Sequence, residues 1–477
     1  MGRRAVRSAP PWSLSLGAAL VGLILWGTAA LRHHWLQSNA YDLGLFDQWA
    51  WLIGNGLPPI SSMEGVHVMA DHGAWLFYAA GAAYALLPST QWLLASQAMA
   101  LAFTALPIWM LGQQAGLSPR RCWLACLLWW LQPVVFNAAL FDFHPETWVM
   151  PVLALSIWAA RDQRPLLWFA LLLLLLGARD GLVLITAGIA LEQAWHRRWR
   201  WSLTAALLSS GWLLLLSRWL YPWLRDGEGP KAAGRMFNHL LGPPLEVLGT
   251  IDWSGGGLYL LLLALPCLWL WRRRSLPTLL IALPLLLTNL LSASPSYRTL
   301  IHHYSLPLAV VAVVAAIDGL LHEQPERPRS FPWTLSWAVA CWLALAKPWF
   351  FTEPYLSRMT VIPEARSAMA LVSDQDAVLT TSYLAPQLSR RSIVAFVKKG
   401  SHPSLTSGPW TLLLLHPKDP GWGSNRSSQQ RLLDEADALG WQCQRWPSGL
   451  TLCQQGEAMI QRDNTKAFLF RNGNVPL

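Results

Sequence analysis

The sequence predicts a mainly α-helical, polytopic membrane protein with about eleven transmembrane helices, N-terminus in and C-terminus out, and a small C-terminal α/β domain. Three observations predict it. Of 477 residues 53% are hydrophobic and only 13% charged, against about 25% charged in a soluble domain. The apolar residues form long, uniform runs rather than amphipathic stripes. There are 31 tryptophans, and indole rings favour the membrane–water interface. A water-soluble enzyme, a disordered chain and a disulfide-rich secreted module are excluded. The net charge of +10 does not point to nucleic acid, because the basic residues sit in short clusters between apolar runs, the pattern that orients a membrane protein. The six cysteines show no CxxC and no metal-ligand spacing.

A span needs about 20 apolar residues, fewer when polar ends snorkel. Eleven runs qualify: roughly 12–31, 90–111, 121–139, 147–160, 165–178, 181–195, 201–220, 256–271, 276–292, 304–321 and 331–348. Arg3, Arg4 and Arg7 precede the first, and Arg120 and Arg121 follow the second. Arg161 and Arg164 separate the fourth and fifth. Arg197, Arg198 and Arg200 follow the sixth, Arg272, Arg273 and Arg274 the eighth, and Arg327 and Arg329 the tenth. Every cluster falls on one side, which must be the cytoplasm. The stretch Gly73–Leu87 is apolar enough for a short span, but a crossing there would move Arg120 and Arg121 outside. It is expected to lie at the interface, or to dip in and return. The first run follows three arginines as a signal peptide would, yet it is too long for a typical h-region and lacks an A-x-A site. The composition suits a bacterial inner membrane.

Residues 1–349 form the membrane module, with a first outer loop at 32–89, and residues 350–477 the extracytoplasmic domain. There, β-like runs at Ala377–Thr381, Ser392–Val397 and Thr411–His416 accompany a helical stretch at Gln429–Leu439. Cys443 and Cys453 flank Pro447-Ser448-Gly449, a hairpin loop; pairing 446 with 450 sets the cysteines opposite each other. A disulfide or two reduced, half-buried thiols would both fit. Cys122, Cys126, Cys267 and Cys341 lie in spans, as apolar filler.

Titratable groups collect on the outer face. Eight of the twelve histidines fall in its loops, namely His33, His34, His67, His72, His144, His239, His302 and His303. So do Asp42, Asp47, Asp71, Asp142, Glu146 and Asp180. An active site at the outer membrane–water boundary is the inference; wet loops that merely tolerate polar residues are the alternative. In the run Tyr41-Asp42-Leu43-Gly44-Leu45-Phe46-Asp47-Gln48-Trp49-Ala50-Trp51, helical spacing puts Asp42, Phe46 and Trp49 on one face and Asp47 on another. Asp42 could equally be an N-cap. His67, Asp71 and His72 have roughly one-turn spacing and could bind a metal or a phosphate, although paired histidines also bond locally. Asp142, His144 and Glu146 crowd one short loop, where the carboxylates could cap the next helix. Arg179 and Asp180 could simply pair. Arg298, His302, His303 and Tyr304 could hold an anionic phosphate or form a snorkelling cluster.

Taken from Asp42 onward, the order of one span, a long outer loop with an acidic interfacial helix, a second acidic outer loop, several spans and an outer C-terminal domain resembles the GT-C membrane glycosyltransferases. Their first loop typically carries Asp-Glu-x-x-Tyr-x-x-x-Ala; Asp42, Phe46 and Ala50 fall at the acid, aromatic and alanine positions. The YDLGLFDQ run, the histidine-rich segment ending at His72 and the FHPE run at Phe143–Glu146 more closely resemble an uncharacterised prokaryotic family of predicted membrane proteins, domain of unknown function 2079, over most of the chain. The superfamily resemblance implies that Asp42 and Asp142 are catalytic, Asp42 as base or acceptor-positioning group. Two departures bear on the phosphate and metal handling: Leu43 stands where relatives often have Glu, and Ala70-Asp71-His72-Gly73 replaces a Lys-Pro-Pro segment.

The resulting expectation is an inverting transfer of a sugar from a polyprenyl-phosphate-linked donor on the outer face. The candidates for substrate binding are Asp47, Asp71, His72, His144, Glu146, Arg179, Asp180, Arg298, His302 and His303, with Arg179, Arg298, His302 and His303 on the leaving phosphate. A divalent metal is an open possibility, with His67, His72 and His144 as candidate ligands. The rivals are a lipid or glycan transporter or flippase, disfavoured by span interiors nearly free of charge and by the lack of a repeat, and a scaffold that displays the C-terminal domain. Sugar identity and acceptor are not encoded in any motif.

Overall fold

Prolines and a capping aspartate divide the apolar runs into more and shorter helices than hydropathy suggests. The structure, a computed structural model, describes residues 9–227, 234, 236–321 and 330–456. Arg3, Arg4, Arg7, Arg327 and Arg329, which carry part of the orientation argument, lie outside them. Among the described residues four helices are long and apolar enough to cross a membrane: Trp12–His34, Gln91–Gln114, Trp199–Leu224 and His303–Leu320. Three bent pairs pass the same test together, Pro119–Trp130 with Pro133–Leu140 at 44°, Pro244–Thr250 with Trp253–Ala264 at 57°, and Arg273–Leu279 with Leu283–Leu291 at 69°. Counting each pair as one span gives up to seven by length and composition, where the sequence predicts eleven.

The breaks have chemical causes. Proline starts a helix well but cannot continue one. Pro133 opens the second half of the first pair, and Pro284 opens the second half of the third. In the second pair Asp252 restarts the helix as N-cap, accepting from Gly255 N at 2.9 Å. The helix Trp75–Leu86 falls on the stretch expected at the interface. At 1.5 Å per residue it is about 18 Å long, short of a hydrocarbon core of about 30 Å.

The chain forms two compact units. The first comprises Met1–Ala30, Val68–Ala79 and Gln91–Trp349. Its central helix is Leu306–Leu320, buried along nearly all of its length. Backbones touch there: a Cβ on Gly319 would sit 1.9 Å from the Leu270 carbonyl oxygen, and one on Gly188 would sit 2.0 Å from that of Ile281. Small residues permit such approach in membrane bundles, where packing rather than hydrophobicity drives association. Arg161 binds both Asp318 oxygens, at 2.9 and 2.8 Å, and Thr278 at 2.8 Å. Asp318 is thus an exception to the charge-free span interior expected from hydropathy, and it is fully paired.

The second unit comprises Leu31–His67, Ala80–Thr90 and Phe350–Leu477. Strands β1 (Ile60–Ser61) and β2 (Val66–His67) form an antiparallel pair. Strands β3 (Val378–Thr380), β4 (Val394–Phe396), β5 (Leu412–Leu415), β6 (Gln442–Arg445) and β7 (Thr451–Gln454) form one sheet in the order β4-β3-β5-β7-β6. β3 runs parallel to β4 and β5, while β7 is antiparallel to β5 and β6. The three β-like runs of the sequence are β3, β4 and β5. All four leucines of β5 are buried, as a strand covered on both faces requires. The helix Arg426–Ala438 starts earlier than its apolar pattern suggests, because Asn425 caps it by accepting from Ser428 N at 2.9 Å. Gly440, at φ +77°, ends it. In the hairpin Trp446 N bonds Leu450 O at 2.9 Å, Cys443 faces Cys453, and the two form a disulfide. The other four cysteines are free and buried.

Most of the loop after the first helix packs within this second unit. Gln48 donates to Ser62 Oγ at 2.7 Å and to Arg391 O at 3.1 Å, and accepts from Ser61 Oγ at 2.6 Å. Ser62 Oγ in turn bonds Val394 O at 2.8 Å and receives Val394 N at 2.9 Å. The free edge of β4 is thereby covered, as edge strands need to be.

Candidate active site

In the first unit, the turn after the helix Pro133–Leu140 is built around one buried amide. Gln97 Nε2 donates to the Asp142 carbonyl at 2.6 Å, and Gln97 Oε1 accepts from His144 N at 2.9 Å. Thr147 Oγ1 closes the turn on the His144 carbonyl at 2.7 Å. Asp142 is buried at φ +56°, in the left-handed region that aspartate enters more readily than most residues. The N-cap of the following 3₁₀ turn, Pro145–Val149, is His144, and Glu146 reaches out of that turn.

It meets Arg179, which comes from the turn between the helices Pro165–Leu176 and Val183–Trp195. Arg179 Nη1 donates to Glu146 Oε1 at 2.6 Å and lies 2.5 Å from His303 Nε2. His303 Nε2 is also 3.1 Å from Glu146 Oε1. That nitrogen stands between a donor and an acceptor. Protonated, it donates to Glu146; unprotonated, it accepts from Arg179. The His144 ring lies against His303 with centroids 3.6 Å apart. Tyr304 lies under the Arg179 guanidinium at 5.3 Å and stacks on Tyr297 at 3.9 Å. His302 packs edge-on against Phe141 at 4.6 Å.

Burial opposes ionisation of Glu146, but Arg179 and His144 overcome it and hold the carboxyl below its usual range. Burial likewise opposes the charge on Arg179, and Glu146 more than compensates, so the guanidinium stays charged. Two buried atoms of the cluster, Glu146 Oε2 and His303 Nδ1, have no hydrogen-bond partner among the described residues. Both bonds of Arg179 use Nη1, which leaves Nε and Nη2 for a ligand.

The segment Val68–Ala79 is tied to the Arg179 turn. Leu76 N donates to Gly177 O at 2.9 Å, and a Cβ on Gly177 would sit 2.3 Å from the Trp75 indole. His72 Nε2 lies 3.0 Å from Asp71 Oδ2. Burial would lower the His72 pKa, but Asp71 raises it, and the net shift is upward. Burial would raise that of Asp71, but His72 and the arginines bring it below its usual value. Arg225 Nη2 donates to the Ala70 carbonyl at 2.5 Å.

Some expected partners are not brought together. Arg179 and Asp180 do not pair, because Arg179 is extended, with φ −164° and ψ 144°, and successive side chains then point apart. Asp180 accepts instead from Tyr221 OH at 2.8 Å and from Gly181 N at 2.8 Å. Arg298 bonds the Ser292 carbonyl and lies 3.6 Å from Asp252 Oδ2. Gln97, Tyr221 and Arg225 escape a search of the polar loops. Their only trace is one glutamine in an apolar helix and a polar end to an apolar run.

Asp42, Asp47, His34 and His67 lie in the second unit. Asp42 is half-buried within the π-helical turn Ala40–Gly44, whose N-cap is Asn39, so Asp42 is not the cap. Asp47 is fully buried, and both of its oxygens are bound inside the protein, Oδ1 by Tyr84 OH at 2.5 Å and Oδ2 by Ser389 Oγ at 2.6 Å. Burial raises its pKa, and the two hydrogen bonds and Arg390 offset this only in part. Asp47 therefore braces the loop where substrate contact was expected, because it sits on the other helical face from Asp42. His34 meets Arg366 at 2.5 Å. His67 stands opposite Ile60 in the short hairpin. Among the described residues no group of three His, Cys, Asp or Glu side chains is placed to hold a metal ion.

The model of a family of predicted membrane proteins, DUF2079, matches residues 32–452, and the chain belongs to that family. No curated protein matches it. Among solved structures it is similar to ArnT from Cupriavidus metallidurans bound to undecaprenyl phosphate, with a TM-score of 0.57 and 12% identity over 94% of this chain and 99% of that one. It is equally similar to the same protein in the apo state, with a TM-score of 0.57, 13% identity and the same coverage. The fold is thus shared with ArnT.

Proposed function

We propose that this member of the DUF2079 family is a membrane glycosyltransferase, moving a sugar from a polyprenyl-phosphate-linked donor to an acceptor hydroxyl on the extracytoplasmic face of a bacterial cytoplasmic membrane. The observation that carries the reading is the buried Arg179–Glu146–His303 cluster on loops between apolar helices. A lipid-linked donor keeps its tail in hydrocarbon and brings its phosphate to such loops, and a preorganised guanidinium in a dry site is well suited to the charge that develops on a leaving phosphate. The ArnT structure with undecaprenyl phosphate supports a ligand of that class. The Cys443–Cys453 disulfide supports an oxidising compartment for the C-terminal domain.

In this reading the acceptor oxygen attacks the anomeric carbon as the bond to the phosphate oxygen breaks. One displacement inverts the anomeric centre. The superfamily resemblance assigns the acceptor proton to Asp42; the electron pair leaves on polyprenyl phosphate, held by Arg179 with His303 and His144 beside it. Asp142 shapes the turn that presents His144 and Glu146. The test uses the full chain in nanodiscs with a panel of labelled polyprenyl-phosphate sugars, and reads release of polyprenyl phosphate. Release by the wild type and its loss in Asp42→Asn, with membrane insertion unchanged, supports the reading. Wild-type rates in Asp42→Asn would remove that residue from the chemistry, and turnover of none of the donors would sink the transferase assignment.

A further inference from the structure

The carboxyl ends of the parallel strands β3, β4 and β5 carry an aromatic group that the proposed chemistry has not used. Tyr41, which precedes Asp42, packs edge-on against Phe396 at 5.0 Å and against Trp422 at 5.7 Å. Phe396 ends β4 and is buried, whereas Trp422 is 60% exposed. Lys398 Nζ stands 5.1 Å from the Tyr41 ring centroid, and both Lys398 and Lys399 are exposed.

The exposed indole is held, not loose. Gly421 and Gly423 flank it at φ +77° and +71°, a conformation that side chains rarely adopt. Gln429 Nε2 grips the Pro420 carbonyl at 2.9 Å and Ser424 Oγ at 3.1 Å, and Lys399 N bonds the Gly423 carbonyl at 2.7 Å. A loop braced on both sides of an exposed tryptophan presents a flat apolar face with a polar edge, as ligand contacts do. In open α/β sheets, ligands bind outside the carboxyl ends of parallel strands where the strand order reverses. Here β3 is followed by β4 on one side and by β5 on the other, so the reversal lies at these loops.

We propose that Tyr41, Trp422 and Lys398 form the acceptor subsite, and that the acceptor is a saccharide bearing an anionic group. This rests on the transferase reading above and names its second substrate. A pyranose ring offers an apolar C–H face to an indole and hydroxyls to water, and the two lysines supply the complementary charge for a uronate or phosphate substituent. Tyr41 joins the subsite directly to Asp42, the group assigned to the acceptor hydroxyl.

The experiment titrates the full-length protein in nanodiscs with oligogalacturonate and with a neutral malto-oligosaccharide of equal length, by calorimetry. Oligogalacturonate should bind and the neutral chain should bind more weakly. Trp422→Ala should weaken oligogalacturonate binding about three- to tenfold, the range of an aromatic contact. Lys398→Gln should weaken it roughly two- to fivefold and flatten its salt dependence. Both variants should bind polyprenyl phosphate as the wild type does. Saccharide binding unaffected by either variant would overturn the proposal. So would a nitroxide on Trp422→Cys that relaxes with oxygen rather than with a water-soluble nickel chelate, because the ring would then be a lipid anchor. Saccharide binding that survives while no donor is turned over would instead discard the transferase reading and leave the subsite standing.

Discussion

Replacing Arg179 by methionine tests the cluster by energy before chemistry. Glu146 is 4% exposed and its Oε1 is 2.6 Å from Arg179 Nη1. Removing one partner of such a pair leaves an uncompensated buried charge, at a cost of about 3–5 kcal/mol. Replacing both with neutral groups of similar volume is often close to neutral. Arg179→Met should therefore destabilise by about 3–5 kcal/mol, whereas the double variant Glu146→Gln/Arg179→Met should recover most of the loss, with a coupling of roughly 2–3 kcal/mol. Equilibrium unfolding in mixed micelles, followed by circular dichroism with no ligand present, reads both. A single variant as stable as the wild type, or a double variant no better than the single, would refute the reasoning, since Glu146 would then not be an ionised group that depends on Arg179.

Three further outcomes follow from the same geometry. Asp47→Ala deletes the acceptor of two charge-assisted bonds worth about 1.5–3 kcal/mol each; less the relief of an unfavourably buried carboxylate, it should cost about 2–3 kcal/mol, while Asp47→Asn, which keeps an acceptor for Tyr84, should stay within about 1 kcal/mol of wild type, both read by limited proteolysis of the first loop. The Asp71–His72 pair should make stability depend on pH at both ends. The raised His72 pKa gives a contribution complete below about 6.5 and lost as pH rises through the folded value, and the lowered Asp71 pKa gives one present above about 3.9 and lost as pH falls; His72→Gln should flatten the alkaline limb of the thermal stability profile. Exhaustive chelation decides whether a metal takes part: turnover lost and then restored by one divalent ion would place a metal in the chemistry, and turnover unchanged would leave it to the side chains.

Composition and run length made the membrane class legible, because they sum over hundreds of residues. The hairpin of Cys443 and Cys453 was legible too, since its turn residues lie between the cysteines and define the register. Helix continuity was not. A proline such as Pro133 or Pro284 looks the same in hydropathy whether it kinks a span or breaks it, and only packing decides. In the site, Glu146, His144, His303 and Arg179 stand out in the sequence by residue type and loop position, and those features suffice where neighbouring spans bring loops together. Their partners were not legible. Arg179 could pair with its neighbour Asp180 until the extended backbone separated the two side chains. Asp47 and Asp42 differ by five residues along one run, and the helical face hides one among Tyr84 and Ser389, which are distant in sequence. Gln97 carries no mark of its role except that it is a buried amide in an apolar helix.

The central claim is that the Arg179 cluster holds the phosphate of a lipid-linked donor. Native mass spectrometry of nanodisc-embedded protein can compare polyprenyl phosphate with the polyprenol that lacks the phosphate. The account predicts that the wild type prefers the phosphate at least about tenfold, the scale of one charge-assisted bond, and that Glu146→Gln/Arg179→Met, with its fold retained, loses that preference. Equal preference in the double variant, or none in the wild type, would contradict it.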